Sequence, residues 1–170
     1  MNGTLEQAGA QWRLRFRREL AHPAGDVWSA ITEPARRAAW FPDEVDGDFT
    51  TAGSPLTFTS PSGVFHGEVT ACEPPTLLEL LWGTDRLRFE LAPTGAGCTL
   101  TLTDTFDERG KAARDGAGWH ECLDDLGHAL DGMPAPPQSE RWQELHAAYV
   151  EALGPEASTI GPPADWQPAT

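Results

Sequence analysis

Between Trp12 and Leu20 apolar and polar side chains alternate. Trp12, Leu14, Phe16 and Leu20 fall on one face, and Arg13, Arg15, Arg17 and Glu19 on the other. A period of two is that of a strand with one face buried. Arg18 departs from the pattern, because it lies in phase with the apolar residues. Beyond this strand the period changes. Pro23 marks a helix start, since proline is tolerated in the first turn. Val27, Trp28 and Ile31 give PAGDVWSAIT one buried side. Pro34 opens a second short helix, PARRAAW, which ends at Trp40-Phe41-Pro42, so the two make a bent segment rather than one rod.

From Gly47 to Phe106 alternation returns in the runs PLTFTS, VFHGEVTAC, LLELLW, RLRFELA and CTLTLTDTF. Serine, proline and glycine clusters separate them, as in a meander of antiparallel strands. A further strand is expected around Gly47–Thr50. The inward residues are Leu56 and Phe58, Val69, Leu78, Leu80 and Trp82, then Leu87, Phe89 and Leu91, then Leu100, Leu102 and Phe106. Asp104 falls in phase with that last set. His66 alternates outward.

The stretch DERGKAARDGAG, charged and glycine-rich, reads as a mobile loop. GAGWHECLDDLGHAL reads as a helix over 117–131, with Trp119, Cys122, Leu123, Leu126 and Leu130 as its apolar stripe. His120, Asp124 and His128 recur every four residues on that helix, with Glu121 and Asp125 alongside. A metal could use such spacing, but these positions lie opposite the stripe and are expected to face water. SERWQELHAAYVEALG reads as a last amphipathic helix, with Ser139 as N-cap, Gly154 as C-cap and Trp142, Leu145, Tyr149 and Leu153 buried.

The expected organisation is a loose leader at 1–10, one domain over 11–132, an additional helix within 133–154 and an irregular tail at 155–170, on which Trp166 could dock. Strands followed by a long helix indicate an α+β fold. A sheet of six to seven antiparallel strands must cover its apolar face, and the 117–131 helix is the element available.

Composition narrows the function. The 170 residues carry 26 acidic and 12 basic side chains, a formal charge of -14. Such a chain is repelled by nucleic acid and by anionic lipid. The arginines of the first strand are its wet face, not a nucleic-acid patch. Three scattered cysteines make no disulfide framework or zinc site. No apolar run approaches the length of about 18 residues that a membrane span needs. The N-terminus lacks the features of a signal peptide. The expectation is a reduced, cytoplasmic protein without metal or cofactor. There is no GxSxG elbow, HExxH pair or phosphate-binding glycine loop.

HPAGDVWSAITEPARRAAWF resembles a signature of the SRPBCC, or START-like, superfamily. Further pieces follow in order: Gly47-Asp48-Phe49 with Gly53, Gly67 and Val69, Glu73-Pro74-Pro75, a strand ending at Trp82, the strand Gly95–Thr103, and Gly118-Trp119 with Leu123 and Leu126. The subgroup it is most similar to is named for the activator of the ninety-kilodalton heat-shock protein ATPase. His22 departs from the alanine usual before the proline. The resemblance covers about residues 12–131. It implies a helix-grip fold, in which a curved antiparallel sheet wraps round a long C-terminal helix and leaves a cavity between them. Members carry lipids, bind plant hormones or cyclise polyketides, and some act on chaperones.

On this basis the candidate ligand-binding residues are Arg18, Trp40, Phe41, Phe58, Leu80, Trp82, Phe89, Leu102, Asp104, Trp119 and Leu123. Arg18 and Asp104 are expected to face the cavity and either to pair, because unpaired buried charge is costly, or together to present polar handles to a ligand. Seven tryptophans suit a flat apolar or aromatic ligand. Trp28 and Trp119 read as helix-to-sheet anchors. The alternatives are a cyclase- or hydratase-like enzyme with Asp104 as base, and a chaperone-associated interaction protein using the acidic segment Asp43–Asp48. The last helix closes either on its own domain or on a second copy as a homodimer.

Overall fold

The computed structural model describes residues 3–162. Eight antiparallel strands form one sheet: β1 (Thr4–Ala8), β2 (Gln11–Leu20), β3 (Glu44–Asp46), β4 (Pro55–Ser60), β5 (Gly63–Glu73), β6 (Leu77–Trp82), β7 (Asp85–Thr94) and β8 (Gly97–Phe106). Their order across the sheet is β1-β2-β8-β7-β6-β5-β4-β3. The second strand thus lies beside the last, with β1 and β3 at the two edges, and the two short helices, α1 (Ala24–Thr32) and α2 (Pro34–Arg37), bridge from β2 to the far edge. The long helix α3 (Ala112–Leu130) covers the inner face, and α4 (Gln138–Leu153) lies on α3.

The sheet has one or two strands more than expected. Residues 4–8 of the supposed leader pair with β2 from Thr4↔Arg15 to Ala8↔Gln11. The short β3 runs through the acidic segment at 44–46, ahead of the Gly47–Thr50 position that alternation suggested. Residues 47–50 form instead a turn in which Asp48 accepts hydrogen bonds from Thr50 and Thr51. Both extra strands are short and half polar, so neither has an apolar period to reveal it.

The inner face follows the alternation. Leu14, Phe16, Leu56, Phe58, Val69, Leu78, Leu80, Leu87, Phe89, Leu100, Leu102 and Phe106 are all buried. Gly67 of β5 is required by close approach, because a Cβ there would stand 1.8 Å from the backbone oxygen of Leu81.

The stretch expected to be a mobile loop is ordered. A 3-10 turn at Arg109–Lys111 leads directly into α3, which starts five residues earlier than the apolar stripe indicates. Ala112, Ala113, Gly116 and Ala117 are buried in that first part. Small residues carry little hydropathy signal, yet they let a helix approach closely. At the chain's end, Ile160 donates its N–H to Gly110 O, and Arg109 pairs with Glu156. The segment after α4 therefore straps the turn before α3.

α1 ends where Glu33 turns extended, and α2 stops at Arg37, three residues short of the expected Trp40. α4 begins at Gln138, ahead of the Ser139 expected as its cap, and Gly154 ends it with φ +83°. The expected docking of Trp166 lies outside the described residues.

Candidate functional site

Where the N-terminal end of α3 meets the sheet, three carboxylates converge. Asp104 stands on β8 between Leu14 of β2 and Leu87 of β7, and is fully buried. Asp85 begins β7, and Asp115 lies in the first turn of α3. One carboxylate oxygen from each lies within 4.8 Å of the others. Lys111 Nζ stands 2.5 Å from Asp85 Oδ2 and 3.6 Å from Asp115 Oδ2. Arg114 Nε donates to Asp115 Oδ1 at 2.8 Å, and Trp119 Nε1 donates to Asp104 Oδ2 at 3.2 Å.

Burial, reinforced by the charges of Asp85 and Asp115, holds the Asp104 carboxyl well above the usual carboxylate range. Burial also raises Asp85, against the opposing pull of Lys111. For Lys111 burial works downward, yet Asp115 and Asp85 outweigh it and the ammonium is held more firmly than usual. Sequence reasoning found Asp104 by its phase but missed Asp85, Lys111 and Asp115. Asp85 carried the same signal, since it is in phase with Leu87, Phe89 and Leu91.

From this cluster an aromatic wall runs along the inner face. The Trp119 ring meets Trp82 at 5.2 Å and Phe41 at 5.9 Å between centroids. Phe41 stacks on Phe58 at 6.1 Å, and Phe58 stacks on Phe65 at 5.1 Å. The two contacts of Trp119 are edge-on, a geometry that aromatic quadrupoles favour. Phe41 also lines a cavity of about 450 Å³ with Pro34, Arg37, Ala38, Pro42, Asp43, Glu44 and Val45. Across that mouth Trp82 donates its indole N–H to Asp43 Oδ2 at 2.7 Å. Burial raises the Asp43 carboxyl, partly offset by this bond. Asp43 and Asp48, two acids of the segment weighed as a chaperone contact, are thus engaged within the chain.

The other face of α3 is not in water, contrary to the sequence expectation. His120, Glu121 and Asp125 are buried because α4 covers them. Arg141 of α4 reaches Asp125 Oδ1 at 2.8 Å and Glu121 Oε1 at 3.5 Å. The Tyr149 hydroxyl accepts the N–H of Gly3 at 2.7 Å and meets His120 Nδ1 at 3.0 Å. In the tautomer of His120 that carries its proton on Nε2, the hydroxyl donates to Nδ1. Burial lowers His120 and raises Glu121 to about 7, the latter against the opposing charge of Arg141.

Arg18 and Asp104 do not pair. Arg18 lies opposite Leu100 on β8, four residues along the strand from Asp104. Its guanidinium stands 3.7 Å from Asp124 on α3 and 5.9 Å from the Phe16 ring. It faces inward as its phase required, but its partner is on the helix. Phe58, Leu80, Phe89, Leu102 and Leu123 are buried in the core cluster. Trp40 is buried too, its indole bonded to Ala30 O at 2.9 Å. Phe41, Trp82 and Trp119 form the wall between the mouth and the acid cluster.

Solved structures of this fold are numerous. A conserved protein of unknown function from Enterococcus faecalis, EF2215, is 19% identical over 89% of this chain and 90% of that one, with a TM-score of 0.77. CalU16 from Micromonospora echinospora is 24% identical over 88% and 94%, with a TM-score of 0.70. DynU16, from the dynemicin biosynthetic locus, is 26% identical over 72% of this chain and 49% of that one, with a TM-score of 0.64. These likenesses are those of a helix-grip fold. No functionally curated protein matches the chain. The family described as Activator of Hsp90 ATPase homolog 1-like protein matches residues 21–131, and with that match over most of the domain the chain belongs to this SRPBCC-type family.

Proposed function

We propose that the protein binds a small, largely apolar and flat molecule between the sheet and α3, admitted past the segment 34–45. The observation that carries this reading is the position of Phe41. It lines the cavity at the mouth and also packs on Trp119 and Phe58. Its ring thus stands between the cavity and the aromatic wall. Concave apolar surface with a few fixed polar groups is what small-molecule sites require. The Trp82–Asp43 hydrogen bond closes the mouth and supplies a polar group there.

Asp104 supports a base-catalysed reaction less well. Burial, with the charges of Asp85 and Asp115, opposes the ionised form of its carboxyl, and a general base must be ionised to take up a proton. The three cysteines form no disulfide, which suits a reducing, cytoplasmic setting.

The test is a titration of the purified protein with a planar polyaromatic probe, followed by tryptophan quenching and melting temperature. Saturable quenching with a raised melting temperature, lost in Phe41→Ala, is expected. A flat response in the wild type would overturn the reading.

A further inference from the structure

We infer that Asp85, Asp104 and Asp115 form a binding site for a hard divalent cation, with the Lys111 ammonium as the competing charge. The site is separate from the aromatic mouth and does not depend on the ligand proposed there.

Four observations converge. The carboxylates come from three different elements, β7, β8 and α3, and their oxygens lie within 4.8 Å of one another. Around a calcium-sized ion bound at 2.3–2.6 Å, opposite oxygens stand roughly 4.6–5.2 Å apart and adjacent ones closer. The donor set is oxygen alone, which selects calcium, magnesium or manganese over zinc or copper.

Second, Asp104 Oδ1 is fully enclosed and accepts no hydrogen bond among the described residues. Asp115 Oδ2 likewise has no hydrogen bond, and lies 3.6 Å from the ammonium. Native structures rarely leave a buried acceptor without a donor or an ion.

Third, three carboxyl groups share two cations, the Lys111 ammonium and the Arg114 guanidinium on Asp115, which leaves one acid uncompensated. Buried charge in excess is expensive unless it is compensated. Fourth, the ligands are held from behind. Trp119 orients Asp104, and Arg114 orients Asp115. Such outer partners are what fix the ligands of metal sites. Lys111 sits in a 3-10 turn with its side chain 14% exposed, so its flexible stem has a route to water when a cation takes its place.

The experiment is a titration of chelator-treated protein with terbium(III), exciting tryptophan. Trp119 touches Asp104, so sensitised emission is expected to saturate at one ion per chain and to be displaced by calcium. Asp115→Asn should weaken binding at least about tenfold while circular dichroism stays unchanged. Lys111→Met keeps all three carboxylates and removes the competing ammonium, so it should tighten binding by about tenfold. Absence of saturable emission would overturn the site, as would binding unaltered by Asp115→Asn. Should that variant fail to fold, Lys111→Met decides alone: unchanged or weaker binding contradicts the inference.

Discussion

Trp119 on α3 donates its indole N–H to the buried carboxyl of Asp104 on β8, 3.2 Å away. The ring that anchors the helix therefore also satisfies the acid beneath it. Trp119→Phe keeps an aromatic anchor but leaves Asp104 Oδ2 without a donor. The expected loss is about 1–3 kcal/mol of stability, the usual cost of an orphaned buried acceptor. Chemical denaturation measures it, and a variant as stable as the wild type would show that the bond carries no weight.

Two glycines of α3 should respond oppositely to alanine. A Cβ on Gly116 would meet the Tyr149 ring at 2.9 Å, whereas one on Gly118 meets nothing within 4 Å. Gly118→Ala should stabilise the helix by up to about 1 kcal/mol, the propensity difference. Gly116→Ala should cost about 1–3 kcal/mol through overpacking and expose α4 to limited proteolysis. Equal behaviour of the two sites would contradict the close α3–α4 crossing.

α4 closes on its own domain, because Tyr149 is buried against Phe16 and bonded to Gly3 and His120. Tyr149→Phe should lower stability by about 1–2 kcal/mol by removing those bonds. Trp142→Glu should destabilise the fold without changing its mass in sedimentation. A shift to half the mass would instead place α4 in a dimer interface.

The same interface sets a pH dependence with two opposing contributions. His120 has a lowered folded value, so the unfolded chain takes up the proton first and stability falls as pH drops below the ordinary histidine range. Glu121 has a folded value raised to about 7 from 4.5. Between those values the folded state holds the extra proton, so stability falls as pH rises through about 7. Glu121→Gln should remove the loss between about pH 4.5 and 7, so the fall contributed by His120 on the acid side becomes steeper in melting curves against pH. An unchanged profile over that window would assign the effect to another group.

Much of this arrangement is legible in the chain, and the reasons for the rest are physical. Alternation put Arg18 and Asp104 on the inner face, where both lie, but period alone cannot say which element crosses above a strand. Hence Arg18 was assigned the wrong partner. His120, Glu121 and Asp125 lie opposite the stripe of α3, so an isolated helix would leave them wet. The apolar face of α4 was visible as well, though not its destination. Lys111 and Asp115 fall among small and charged residues with no apolar period, so neither the early start of α3 nor the acid cluster could be read there.

The most direct test of the proposed function is native mass spectrometry of the purified protein, followed by its denatured mass. The account predicts a native mass above the denatured one by a single small molecule, with the excess lost in Phe41→Ala. Native and denatured masses that agree, in protein that also fails to take up planar aromatic probes, would contradict it.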